Sequence, residues 1–180
     1  YEVVQVAEVL VSLDLVKESL EFYRRHAPEF GFSNNVWSVG VWAAYADLLI
    51  AQRQWERLKE VATQMRSIPG GHEALGGFSY FLEGRVAYAQ GSLDAAKASF
   101  KEAVKMGFPL GRVGIRVGAQ LLQMNFPELA LEALRPLESR FEEDLGYWKA
   151  VFDASDVLRT DEALLLRAAT RAHELVPDSL

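Results

Sequence analysis

An apolar stripe that recurs at a nearly constant interval constrains the fold of this 180-residue chain more than any other feature. Three apolar or aromatic residues at positions i, i+4 and i+7, which share one face of an α-helix, occur five times. The first members of these sets are 42, 38, 34 and 35 residues apart. Independent amphipathic helices would not keep a common interval, so the stripe predicts stacked helical repeats. The five sets are Val16, Leu20 and Tyr23; Leu58, Ala62 and Met65; Ala96, Phe100 and Ala103; Ala130, Leu134 and Leu137; and Leu165, Ala169 and Ala172.

Helix-breaking residues divide the sequence into ten predicted helices, because turn signals such as Gly91-Ser92, 69–71, 107–109 and 125–127 separate the apolar-periodic segments. Patterns typical of strands are nearly absent. Asp14, Asp94 and Asp161 are expected near the starts of second helices, where a carboxylate interacts favourably with free amides. The predicted helices cover residues 1–11, 14–27, 36–52, 54–67, 75–90, 93–106, 110–124, 127–142, 146–158 and 161–175.

The segment 80–109 resembles a tetratricopeptide repeat (TPR), whose pattern is W-x2-L-G-x2-Y followed by A-x3-F and P. Tyr80, Gly84, Ala96 and Phe100 match that pattern, whereas Glu83 replaces its Leu. The unit before this segment has Trp42, Tyr45 and Ala46 at positions of the pattern, and the unit after it has Gly118, Ala130 and Leu134. In the first and last units, the position of the small residue is occupied by Val4 and Asp153. Small residues at that position would let helix axes approach closely.

The resemblance implies an all-α, right-handed α-solenoid of about five antiparallel helix pairs. The pairs are expected at residues 1–28, 36–69, 75–109, 110–142 and 146–177, within a single repeat domain over residues 1–180. The first residue is Tyr1 rather than Met, which indicates a piece of a larger protein.

Composition excludes several classes of function. A net charge of -6 disfavours nucleic acid and anionic membrane surfaces as partners. The absence of cysteine excludes disulfides, zinc–thiolate sites and thiol nucleophiles. No segment is long and apolar enough to insert into a membrane. The cytoplasm and the periplasm are both compatible with this composition.

No motif indicates catalysis, a metal or a cofactor. His26, His72 and His173 lack ligand spacing, and 142–144 is better explained as a charged loop than as a cation site. Gly111, Gly114 and Gly118 are better explained as helix-crossing residues than as a phosphate loop, since no strand precedes them. The sequence therefore predicts a protein that is not an enzyme.

The resemblance also implies a concave groove lined by the first helix of each pair. The candidate partner-binding residues in that groove are Asp47, Phe78, Phe81, Arg85, Tyr88, Arg112, Gln123 and Tyr147. Phe81, Arg85 and Tyr88 lie about one turn apart on one helix face, and such side chains are enriched at binding hot spots. Alternatively, Phe81 and Tyr88 pack against the adjacent first helix and Arg85 pairs with Asp47. The Lys and Asn residues with which some TPR domains clamp a free peptide C-terminus are not at the matching positions, so we do not expect that ligand.

The resemblance thus predicts a non-catalytic scaffold that binds a peptide or helical segment of a protein partner. The alternative is a structural spacer that self-associates through its end faces. A remote alternative is pentatricopeptide-like RNA binding, which the acidic charge and apolar inner positions disfavour.

Overall fold

The computed structural model describes residues 2–30, 36–67, 76–108, 111–159 and 161–176. The chain divides into two compact units, Tyr1–Leu110 (unit 1) and Gly111–Leu180 (unit 2). This division falls at the predicted boundary between the third and fourth helix pairs, and the expectation of one continuous domain stays a prediction. The described residues of unit 1 form α1 (Glu2–Ser12), α2 (Val16–His26), a 3-10 turn (Ala27–Phe30), α3 (Val36–Ala51), α4 (Trp55–Ser67), α5 (Phe78–Ala89) and α6 (Leu93–Met106). Those of unit 2 form α7 (Gly111–Gln123), α8 (Pro127–Leu134), a 3-10 helix (Arg135–Arg140), α9 (Leu145–Leu158) and α10 (Glu162–Leu175).

Helix packing follows the predicted pairing within each unit. In unit 1, α1 packs on α2, α3 on α4 and α5 on α6, and the second helix of one pair packs on the first helix of the next, as α4 does on α5. In unit 2, α7 packs on α8, α8 on α9 and α9 on α10. The described residues contain no strand. The all-α, paired-helix prediction is confirmed. The turn signals Pro69, Pro109 and Pro177 lie outside the described residues.

One turn conformation repeats between the two helices of successive pairs. Asp14, Arg53, Gly91 and Asn125 have φ angles of 61°, 53°, 77° and 66°, in the left-handed region. In each turn the next residue donates its N–H to the carbonyl five residues before it, as in Leu15 to Leu10 and Ser92 to Ala87. This is the hydrogen-bond pattern of a Schellman helix terminus. Arg159, at the end of α9, is also left-handed with φ 50°.

The repeated turn corrects the predicted register of the first and last pairs. Its left-handed residues, at 14, 53, 91, 125 and 159, are 39, 38, 34 and 34 residues apart, so the first interval is not 42. The position five residues after each turn is Leu58, Ala96 and Ala130, as predicted for the middle pairs, but it is Ser19 in α2 and Leu164 in α10. Ser19 is fully buried and its hydroxyl donates to the carbonyl of Ala7 at 2.9 Å.

The predicted stripe fits α2 better than α10. In α2, Leu20 and Tyr23 are buried as predicted and Val16 is partly exposed. In α10, Leu165, Ala169 and Ala172 are all partly exposed, whereas Ala168 is fully buried. In the first pair the small-residue position belongs to Ala7, which is fully buried, and not to Val4. In the last pair that position falls on Phe152 and not on Asp153. The apolar pattern gave the wrong register for α2 because the stripe of that helix contains the polar Ser19, whereas the apolar Val16 lies outside the stripe.

Two glycines allow the helices of a pair to approach closely. A Cβ atom on Gly84 of α5 would lie 2.3 Å from Cε1 of Phe100 on α6. A Cβ atom on Gly118 of α7 would lie 2.8 Å from Cγ of Leu134 on α8. Both glycines lie seven residues before their turn residue, and each accommodates a large side chain from the facing helix. These contacts support the predicted packing role of Gly84 and Gly118.

Helix ends follow from local chemistry. Asp161 caps α10 by accepting the Leu164 N–H at 2.9 Å, and Asp94 lies in the first turn of α6. Asp14 instead occupies the left-handed turn position, and Leu15 precedes α2 without a side-chain cap. The predicted helix 127–142 continues beyond Leu134 only as 3-10 helix, since Pro136 has no N–H to donate within an α-helix.

Candidate functional site

Two of the predicted groove residues belong to the core of unit 1. Phe78 and Phe81 on α5 are only 4% and 2% exposed. Their rings stack with centroids 6.2 Å apart, and the Phe81 ring lies 5.6 Å from that of Phe100 on α6. The expectation that they face solvent is wrong. The reason is that α5 packs on both α4 and α6, so two of its faces are covered.

Arg85 and Tyr88 of α5 keep a partly exposed position. Arg85 is half-buried and Tyr88 is 37% exposed. Burial lowers the pKa of the Arg85 guanidinium, while the Tyr88 phenol opposes that shift and therefore lies within electrostatic range. A guanidinium and a phenol thus share one surface of α5. Asp47, on α3, is half-buried.

In unit 2, Tyr147 is buried and Arg112 and Gln123 are exposed. Tyr147 is 1% exposed and meets the Trp148 ring edge-on, with centroids 5.1 Å apart. Burial is the main cause that raises the pKa of Tyr147 to about 12. The predicted solvent-facing position of Tyr147 is therefore wrong, because α9 packs on helices on more than one side and the Tyr147 ring is covered.

Asp144 gives part of the acidic segment 142–144 a structural role. Its carboxylate Oδ1 accepts the Tyr147 N–H at 2.9 Å and so caps α9. Its Oδ2 lies 3.9 Å from Nη2 of the exposed Arg112. The carbonyl of Glu142 accepts the Trp148 indole N–H at 2.7 Å. These contacts support the charged-loop interpretation of the segment.

A cluster that the sequence did not predict connects the second and third pairs of unit 1. Arg66 of α4 forms an ion pair with Glu83 of α5, and its guanidinium lies 5.1 Å from the centroid of the Tyr80 ring. The hydrogen bond that Arg66 donates to Glu83 is the main cause that raises the pKa of Arg66. Glu83 departs from the TPR pattern, and its ion pair with Arg66 on α4 accounts for the departure.

Within the described residues, no group of three or more His, Asp or Glu side chains is placed to hold a metal ion. None of the described helices combines the length and hydropathy needed to cross a membrane. His26 is accounted for locally, since its Nδ1 lies 3.1 Å from Oε1 of Glu29.

Three features together define the fold: the helices are paired, a left-handed turn recurs within the pairs, and small residues on one helix face large residues on its partner. The fold is a TPR-like helical repeat. No protein-family model and no characterised protein sequence matches the chain. One similar solved structure is described as "YrrB: a TPR protein with an unusual peptide-binding site". Its identity to this chain is 12%, the match covers 98% of this chain and 86% of that chain, and the TM-score is 0.48.

Proposed function

We propose that this chain is a non-catalytic scaffold that binds a peptide or helical segment of a protein partner. The observation that carries the proposal is the surface formed by Arg85 and Tyr88 on α5. Both side chains stay partly exposed, whereas Phe78 and Phe81 on the same helix are committed to the core and Tyr80 is contacted by Arg66 of α4. Tyr and Arg are the residue types that most often anchor protein interfaces.

The physical state of this surface favours binding. The rigid helix α5 is held between α4 and α6, so a partner would not have to order it. The phenol offers flat apolar area and a hydroxyl, and the guanidinium offers several donors in a fixed plane. The Arg85 guanidinium is already partly desolvated, as its lowered pKa indicates, so covering it costs less than covering a fully hydrated one. Asp47, Arg112 and Gln123 remain candidate contributors to partner binding within their own units.

Peptide selection and titration test the proposal. A displayed library of random peptides would be selected on the whole chain, and affinities of the enriched peptides would be measured by calorimetry. Arg85→Ala and Tyr88→Ala are each expected to weaken binding by about tenfold or more while leaving the helical circular dichroism unchanged. Lys97→Ala removes an exposed cation from α6 and serves as the control with unchanged affinity. Unchanged affinity in both α5 variants would contradict the proposed site.

Self-association is the second candidate function, and the exposed face of α1 favours it. Val6 and Val9 of α1 are 42% and 56% exposed, and Leu13, in the turn that follows α1, is 62% exposed. Exposed apolar side chains that are close in sequence, as these are, favour an interaction site. Sedimentation velocity over a range of concentrations would detect association, and Val9→Lys is expected to abolish it. A concentration-independent monomer would remove this candidate.

A further inference from the structure

A cavity of about 330 Å³ lies in unit 1 among α2, α3, α4 and the 3-10 turn after α2. Its buried wall consists of Trp42, Tyr45 and Val61, which are at most 5% exposed. The Tyr45 ring is fixed in place because it stacks on Tyr23, with centroids 5.4 Å apart. Neither the groove candidates nor the Arg85–Tyr88 surface contributes to this cavity.

Polar side chains form the outer part of the cavity. They are Arg24 of α2 and Arg57, Glu60 and Gln64 of α4. Burial raises the pKa of the Tyr45 phenol, Arg57 and then Arg24 oppose that rise, and Glu21 and Glu60 add to it. Both guanidinium groups and both carboxylates therefore lie within electrostatic range of the same buried phenol.

The lining has two cations and one carboxylate, and one of the two cations is already paired. Arg24, Arg57 and Glu60 together carry +1, in a chain whose net charge is -6. Arg24 is partly neutralised outside the lining, since its Nε donates to Oε2 of Glu21 at 2.8 Å. Arg57 is half-buried, so its guanidinium is screened less by solvent than an exposed one. Arg57 is thus the main cation available to a bound anion.

We propose that this cavity binds a carboxylate group, recognised chiefly by Arg57, with the carbon skeleton of the ligand against Trp42 and Tyr45. A planar guanidinium matches a carboxylate in geometry and can bind it through two parallel hydrogen bonds. The amide of Gln64 offers a further donor. A phosphate dianion fits less well, because Glu60 in the lining and Glu21 beside Arg24 would repel its second charge.

The cavity volume limits the size of the ligand. It lies near the lower end of the range for small-molecule sites, so it accommodates a short carboxylic acid or the acidic side chain of a peptide. These two sources share the same chemistry at the cavity. The proposal does not depend on the proposed peptide-binding function of the α5 surface.

Titration of the isotope-labelled whole chain, observed by NMR, tests the proposal. The reporter is the indole N–H resonance of Trp42, assigned with the Trp42→Phe variant. The probes are propionate, N-acetyl-glutamate N-methylamide, its neutral glutamine counterpart and inorganic phosphate. A saturable shift with propionate or the blocked glutamate, and none with the blocked glutamine, is expected. Tighter binding of propionate indicates a free acid as the ligand, and tighter binding of the blocked glutamate indicates a peptide side chain.

Two substitutions in the cavity lining that are expected to change the carboxylate affinity in opposite directions make the test specific. Arg57→Gln should weaken carboxylate binding by about tenfold, and Glu60→Gln should strengthen it severalfold because it removes a competing carboxylate. Arg25→Gln makes the same change in net charge at a residue of α2 that lines a different cavity, and it should leave the affinity unchanged. Absence of a saturable shift, phosphate binding tighter than carboxylate, or equal losses in Arg57→Gln and Arg25→Gln would each overturn the proposal.

Discussion

Single residues set the distance between the helices of a pair, and Gly84 shows this most clearly. Its missing side chain leaves room for the Phe100 ring, which is fully buried. Glycine costs about 1 kcal/mol of helix stability relative to alanine, so its presence within α5 reflects the contact it permits. The sequence alone predicted this role, because the offset from Gly84 to Phe100 belongs to a recognisable repeat pattern.

Gly84→Ala is expected to lower the free energy of unfolding by about 1–2 kcal/mol, because the new methyl group would overlap the Phe100 ring. Gly40→Ala is the matched control: Gly40 also lies inside a helix, and a Cβ atom there would meet nothing within 4 Å. That variant should gain up to about 1 kcal/mol from helix propensity. Urea unfolding followed by circular dichroism measures both changes. Equal effects of the two substitutions would contradict the close contact at Gly84.

Tyr23 and Tyr147 make stability depend on alkaline pH. Burial is the main cause that raises the pKa of each phenol from its ordinary value of 10.0 to about 12. Between these values the unfolded chain loses phenolic protons that the folded chain retains, so the stabilisation is complete below about pH 10 and is lost as the pH rises towards 12. Unfolding free energies measured from pH 9 to about 11.5 should fall, by up to about 1.4 kcal/mol per pH unit for each phenol. Tyr23→Phe and Tyr147→Phe should each flatten this fall; an unchanged slope in both variants would contradict the burial of these phenols.

At the scale of helices and turns, the left-handed residue of each intra-pair turn is the recurrent element. The residues at this position differ in how readily they adopt a positive φ. Gly91 adopts it without strain and Asn125 and Asp14 tolerate it, but Arg53 does not favour it. The sequence located these turns from Gly91 and Asn125. It also placed the second turn at residue 53, between the predicted helices 36–52 and 54–67, but it placed the first turn at residues 12–13, just before the left-handed Asp14.

Arg53→Gly is expected to stabilise the protein by about 1 kcal/mol, because glycine adopts a positive φ without the Cβ clash. Gly91→Ala should destabilise it by a similar amount, and the cost is conformational since a Cβ atom at Gly91 would meet nothing within 4 Å. Gln52→Gly, one residue before the left-handed position, is the control that should give no gain. Thermal melts of the three variants measure these effects, and a loss of stability in Arg53→Gly would show that the turn differs from the one described.

Over the whole chain, the sequence predicted helices and their pairing well because both depend on local periodicity and breakers. The predicted helix 93–106 coincides with α6, Leu93–Met106. The candidate site was less predictable, because exposure depends on how many neighbours a helix has. When each helix is considered alone, Phe78, Phe81 and Tyr147 look like surface anchors, yet packing on two sides of their helices buries them. Contacts distant in sequence, such as that of Arg66 with Glu83, carry no local signal at all.

The register of the repeat is the central structural claim, and backbone NMR chemical shifts test it most directly. The claim predicts helical Cα shifts that are interrupted by left-handed residues at positions 14, 53, 91 and 125. The apolar stripe alone, with its first interval of 42 residues, would instead place the first of these interruptions at position 11. An interruption at Asp14 together with those at Arg53, Gly91 and Asn125 would support the register described. Continuous helical shifts through Asp14, or a left-handed residue at Val11, would contradict it.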